Sequence, residues 1–211
     1  MRNRYSRVTR MSFRHSREPM YDRDDEDENL DGIPPYRLFA SPGHLDVYIS
    51  TDIVEPFAYD ELCHELRQLG VDDTATIYVN SPGGNIMGGL AIIQAMQDCP
   101  AMIRTVLHPA ALSVAALIFL SGDEYEVPSF GQLMLHHYAD RIEGKGHELR
   151  AEVDATDKWF EAFSRDICRG FLTDVEIADI LAGRDVWLQG NDIDLRILRM
   201  EMVQAGLEPN D

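Results

Sequence analysis

The sequence predicts an α/β fold built on a parallel sheet. Three observations carry that prediction. Between Leu45 and Leu120, short β-rich runs alternate with helical runs, and strands joined through helices align in parallel. Strands in such sheets carry helices over both faces, so the faces are expected to be covered. The turns that leave two of these strands carry the two most chemically suggestive segments, Ser81-Pro82-Gly83-Gly84 and Pro109-Ala110-Ala111-Leu112-Ser113. Active sites of parallel sheets lie beyond the carboxyl ends of strands, where both segments fall.

Each element follows from its local pattern. Asp46 to Ser50 alternates like a strand. Ala58 to Leu69 is amphipathic, with Leu62, Leu66 and Leu69 on one face and Gly70 as the stop. Ala75 to Asn80 is a β-rich buried strand running into the Ser-Pro-Gly-Gly turn, and Ile86 to Gln97 is a helix of small and apolar residues ended by Pro100. Ile103 to Leu107 is another short strand, and Ser113 to Leu120 a nearly wholly apolar helix. Beyond Gly122 come short strands, Glu124 to Val127 and Leu133 to His136, around the Pro128-Ser129 turn. After Gly144-Lys145-Gly146 a long helix places Leu149, Val153, Phe160, Phe163 and Ile167 at spacings that fit a heptad, interrupted by Thr156 and flanked by Trp159. Such a seam packs on its own domain or meets a partner subunit.

Composition sets the remaining bounds. At 45% apolar over 211 residues the chain can bury one substantial core, which fits a body over residues 44–211. Residues 1–43 are instead expected to form a charged tail, disordered or removed on maturation. They combine six arginines between Arg2 and Arg17 with a dense acidic run from Asp22 to Asp31 and little to bury. The helical spacing of Arg4, Arg7, Arg10, Arg14 and Arg17 also admits an anion-binding or targeting arm. From His44 onward eleven basic residues face twenty-nine acidic ones, a net −18 that repels phosphate backbones and argues against nucleic-acid binding. No apolar run approaches the ~20 residues of a membrane span, and the N-terminus lacks a secretory apolar stretch. Cys63, Cys99 and Cys168 are odd in number and widely spaced, which argues for a reducing compartment, hence a cytoplasmic protein, and against a zinc site.

The two turn segments are half of an acyl-transfer site. Serine-based peptide hydrolysis needs a nucleophile, a base, a group that orients the base, and N–H donors for the oxyanion. Ser113 enters a helix, so the N–H of Val114 has no partner within that helix. Gly83 and Gly84 lack Cβ atoms, so their backbone can approach a substrate carbonyl. Taken singly, the plainer readings are a tight turn and a serine bonded back to a helix carbonyl.

The order of the further residues joins these halves. Ser81-Pro-Gly-Gly, then Ala111-Leu112-Ser113, then Leu133-Met134-Leu135-His136, then Arg184-Asp185 resembles the Clp protease proteolytic subunit (ClpP) family over roughly residues 45–190. The resemblance implies a ClpP/crotonase-like spiral of βα units with a projecting "handle" helix at about residues 140–170. It further implies Ser113 as nucleophile, His136 as general base, Asp185 as the orienting carboxylate, and the N–H groups of Gly84 and Val114 as the oxyanion hole. His137 competes with His136. In a strand the two point to opposite faces, and the Leu-Met-Leu-His pattern favours His136. Asp140, Asp192 and Asp194 are neighbouring candidates for the carboxylate. His44, His64, His108 and His147 are scattered without ligand spacing, so no metal or other cofactor is expected.

The sequence also departs from the family pattern. Leu112 precedes the serine and Val114-Ala115 follows it where Ala and Met-Gly are usual. His137-Tyr138 stands where Gln-Pro is usual, and the family's closing helix and Gly-Leu-(Ile/Val)-Asp ending find no clear match in Asn191 to Asp211. The resemblance implies self-assembly into stacked rings, a homo-heptamer or tetradecamer, acting on unfolded proteins or peptides. An ATP-dependent AAA+ unfoldase would be the feeding partner, and ATP would belong to it, since this chain has no GxxxxGK(S/T) loop. Alternative readings are a capsid-assembly protease of the same fold, a non-catalytic ring or scaffold subunit, and a crotonase-type acyl-CoA enzyme.

Overall fold

The computed structural model describes residues 33–139 and 143–207. Strand β1 (Arg37–Ser41) turns at Gly43 into β2 (His44–Ile49), pairing antiparallel from Ser41↔His44 to Arg37↔Tyr48. A 3-10 turn at Pro56–Tyr59 leads into α1 (Asp60–Gln68), which buries Leu62, Cys63 and Leu66. Then follow β3 (Thr74–Ser81), α2 (Ile86–Gln97), β4 (Met102–Leu112) and α3 (Val114–Phe119). Strands β5 (Glu124–Glu126) and β6 (Gln132–Leu135) precede α4 (Gly146–Ile167), α5 (Asp174–Leu181), β7 (Val186–Gln189) and α6 (Asn191–Gln204).

The sheet order is β1-β2-β3-β4-β6-β7, with β5 also paired to β4. All pairings from β2 to β6 are parallel, and the two outer ones, β1/β2 and β6/β7, are antiparallel. This is the α/β architecture on a largely parallel sheet that the sequence predicts. Strand β4 is longer than its apolar run suggests. It follows β3 from Thr74↔Met102 to Val79↔Leu107, bulges at His108-Pro109, and resumes at Ser81↔Ala111. On its other side it pairs first with β5 and then, through Ala110 to Leu112, with β6. The bulge lets one strand run from the middle of the core to the turn that carries Ser113.

One expectation needs correcting. The helices cover one face of β2 and β3, where Leu45, Val47, Ile49, Ala75, Ile77 and Val79 are buried. The opposite face is half-exposed, and there Tyr48 stacks on Tyr78 at 4.4 Å between centroids. The reason is visible in the strands, which alternate apolar with polar or tyrosine residues rather than running continuously apolar. A second difference concerns the start of the body. Strand β1 lies inside the segment that composition assigns to the tail, because it is exposed at four of its five residues and contributes little to the core. The remainder of that segment, residues 1–32, lies outside the described residues. None of the described helices is long and apolar enough to cross a membrane.

Two helices come from patterns that the sequence reading did not resolve. Helix α5 starts at a capping box: Thr173 Oγ1 accepts from the Glu176 N–H at 3.2 Å, and the Glu176 carboxylate accepts from the Thr173 N–H at 2.8 Å. Helix α6 stands in the stretch where the sequence shows no clear counterpart of the closing helix and ending that the resemblance implies. Arg196 on α6 ties it to α5, donating to Glu176 at 2.6 Å. Helix α4 divides in two. Its first half is largely exposed, including Val153, whereas Phe160, Ser164 and the following Cys168 are buried.

Candidate active site

Ser113 stands on the turn between β4 and α3 with φ 58° and ψ −132°, the one non-glycine residue with positive φ among the described residues. A side chain in that region is strained by about 1–3 kcal/mol, and the strain persists only where the surroundings over-determine it. Here they do. The Ser113 N–H donates to Met134 O of β6 at 2.8 Å, and α3 begins immediately after it with six buried residues. Although Ser113 is the N-cap of α3, its hydroxyl caps nothing in the helix and is free for other use.

That hydroxyl meets His136. Leu112 pairs with Met134 in the β4/β6 ladder, so the residues just past both strand ends come together. His136 Nε2 lies 2.7 Å from Ser113 Oγ. With Nε2 as acceptor, the imidazole carries its proton on Nδ1. Burial holds the His136 pKa below its ordinary value. The Asp185 charge pulls it upward, and His137 adds to the lowering. A neutral imidazole beside a serine hydroxyl is the state a general base requires.

His137 turns the other way. Its Nε2 lies 3.5 Å from Asp157 of α4, and its ring packs edge-on against Phe160 at 5.0 Å. Asp185 lies in the exposed turn before β7, one position beyond the Leu135↔Val186 pair, which sets it across from His136. Its charge reaches the imidazole, but among the described residues no hydrogen bond, and no ion pair within 4.0 Å, joins the two. The structure thus brings Ser113 and His136 into contact and leaves Asp185 nearby but detached. Asp192 and Asp194 open α6 at the far end of β7, and Asp192 lies 3.6 Å from Arg196. Asp140 lies outside the described residues.

The glycine turn is built against the same serine. Gly83 and Gly84 have φ of +96° and +137°, and a Cβ on Gly83 would stand 2.6 Å from Ser113 Cβ. The turn is clamped by Ile53, whose N–H donates to Gly83 O and whose carbonyl accepts from Asn85 N–H, each at 2.7 Å. The Gly83 N–H is taken by Ser81 Oγ at 3.1 Å. The N–H groups of Gly84 and Val114 have no protein partner among the described residues. Two residues that sequence reasoning missed hold this arrangement. Asn85 caps α2 by accepting from Gly88 N–H at 2.9 Å, and an Asn just before an apolar helix was the available signal. Ile53 had no signal, because its role is carried by its backbone.

The remaining histidines lie elsewhere. His44 contacts Thr74 and Asp46, His108 packs on Tyr78, and His147 is exposed. Among the described residues no three His, Cys, Asp or Glu side chains gather as metal ligands would.

A model of the Clp protease family matches residues 45–193, a span that runs from Leu45 in β2 through β7 to the start of α6. The chain belongs to the Clp protease family. It is 30% identical over 106 residues to the chloroplastic ATP-dependent Clp protease proteolytic subunit 3 of Arabidopsis thaliana, covering 47% of this chain and 34% of that one. It is 28% identical over 113 residues to proteolytic subunit 1 of Borreliella burgdorferi, covering 51% and 58%. Against proteolytic subunit 2 of Thermobifida fusca the identity is 27% over 152 residues, covering 69% and 74%. The matched stretches thus span only about a third to three fifths of the first two relatives. At these identities the chain is a divergent Clp family member, and the family assignment supports a peptidase.

Proposed function

We propose that this chain is a serine endopeptidase in which Ser113 is the nucleophile, His136 the base, Asp185 the orienting carboxylate, and the Gly84 and Val114 N–H groups the oxyanion donors. The observation that carries the reading is the 2.7 Å contact between His136 Nε2 and Ser113 Oγ, on a serine held at positive φ. In the reaction, Ser113 Oγ attacks the scissile carbonyl as its proton passes to Nε2. The imidazolium then protonates the leaving amine, and water hydrolyses the acyl-enzyme with His136 again as base. The two unpaired N–H groups stabilise the oxygen that gains charge. This set needs no cofactor. The exposed first half of α4 supports self-assembly into stacked rings, with unfolded chains or peptides as substrates and an ATP-driven unfoldase as the feeding partner, in the cytoplasm.

The test is labelling by a fluorophosphonate probe together with cleavage of casein and short peptides. Wild type should label and cleave, and Ser113→Ala should do neither. The detachment of Asp185 from His136 favours a second reading, a ring subunit that assembles without cleaving. That protein would form rings by light scattering yet leave the probe and both substrates untouched.

A further inference from the structure

His136 is held by the sheet on one side only. Leu135, just before it, pairs with Val186, but the chain then leaves the sheet, and a histidine at a strand end can swing with the segment that follows. That segment is gripped by helix α4. Tyr138 OH donates to Asp157 Oδ1 at 2.8 Å, and His137 Nε2 lies 3.5 Å from the same oxygen. Asp157 and Phe160 are three residues apart, so they share a face of α4. Onto Phe160, which is buried, pack both the His137 ring at 5.0 Å and the Tyr138 ring at 5.5 Å. Phe163 continues the cluster at 5.2 Å from Phe160. A hydrogen bond to a carboxylate is stronger than one to a neutral acceptor, and this one is part-buried.

We infer that Tyr138 and Asp157 are positioning residues for His136, fixing the chain beyond the imidazole to helix α4 so that Nε2 stays on Ser113 Oγ. The inference rests on the reading of Ser113 and His136 as nucleophile and base. It goes beyond that reading, because it assigns a role to His137-Tyr138, the dipeptide at which this chain departs from its family's pattern. Neither residue touches the reacting atoms. Both act through the placement of one side chain, and a displacement of about 1 Å at a base can cost as much as 10²-fold in rate.

The experiment uses the full chain in its native assembly, with peptide cleavage resolved into kcat and KM. Tyr138→Phe keeps the ring and removes the hydroxyl, so kcat should fall about ten-fold with KM unchanged within about two-fold. Asp157→Ala removes that bond and the His137 contact with the same oxygen, so kcat should fall at least as far, and the double variant no further than Asp157→Ala. Asp157→Asn retains an oxygen that Tyr138 can donate to, and should recover most of kcat. Wild-type kcat in Tyr138→Phe, a loss confined to KM, or additive losses in the double variant would each overturn the inference. Should wild type neither cleave nor take a fluorophosphonate probe, the serine-peptidase reading falls, and the positioning role is decided by a crystal structure of Tyr138→Phe. Separation of Nε2 from Ser113 Oγ beyond about 3.5 Å upholds it, and an unchanged contact overturns it.

Discussion

Replacing Gly84 by alanine tests the oxyanion reading most directly. An added Cβ would stand 2.2 Å from the Ile53 carbonyl oxygen, 1.2 Å inside the 3.4 Å at which ordinary contact begins. The obstacle is backbone, so no side chain can rotate away. The residue also sits at φ +137°, where an alanine is strained by about 1–3 kcal/mol. To relieve the clash the turn must move off Ile53, loosening two 2.7 Å hydrogen bonds worth about 1 kcal/mol each. The expected stability loss is therefore about 3–5 kcal/mol, within reach of unfolding a marginal domain. A turn displaced by about 1 Å no longer aims its N–H at the oxyanion, and loss of one such donor costs about 10²–10³ in kcat. Thermal melts and steady-state peptide cleavage read the two effects separately. Gly206→Ala is the control, since Gly206 also has positive φ, +74°, but no atom near its Cβ position. It should show modest destabilisation and wild-type kcat. A folded Gly84→Ala protein with kcat within about ten-fold of wild type would refute the oxyanion assignment.

Two further predictions concern protons. Because burial lowers the His136 pKa and the base must be neutral, kcat/KM should rise with pH through an apparent pKa below 6.5 and level off by neutrality. Asp185→Asn removes the charge that opposes this lowering, so the acid limb should move to still lower pH, and an upward shift would contradict the account. Glu176 is held down to about 2 from 4.5, first by its hydrogen bonds with Arg196. A carboxylate lowered on folding contributes stability that is complete above the unfolded pKa and is lost as pH falls toward the folded one. Stability measured by urea unfolding should therefore drop by about 2–3 kcal/mol between pH 4.5 and 2 from this group, and Glu176→Gln should flatten that part of the profile.

The central part of the fold is legible in sequence because its periodicities are clean. Alternation in Asp46–Ser50 and Ala75–Asn80, and the leucines of Ala58–Leu69, each specify one element and one buried face. Legibility fails where burial does not shape the pattern. Strand β1 buries almost nothing. Helix α6 buries Ile193, Ile197 and Met200 yet exposes Leu195 and Leu198, which blurs its stripe. At the site, the alternation expected of a strand separates His136 from His137, and although β6 ends at Leu135 the structure still gives the two side chains different partners, Ser113 and Asp157. The positive φ of Ser113 has no sequence signature, because it is imposed by the β4/β6 ladder and α3 closing on either side. The distance between Asp185 and His136 was likewise unreadable, since an exposed turn sets it.

The glycines around the turn have a consequence for how this protein can vary. A Cβ on Gly88 would meet the Val54 carbonyl at 2.0 Å, and one on Gly89 would meet Val114 Cγ2 at 2.1 Å. With Gly83 and Gly84 they form a continuous seam, from Ile53 through the start of α2 to the residue after Ser113, along which chain packs on chain with no methyl to spare. A saturation-mutagenesis map would show this seam as a ridge of intolerance passing through the interior, with freely variable positions on the exposed side of α6. Attempts to retune the protein by directed evolution would find their room there, and almost none beside Ser113.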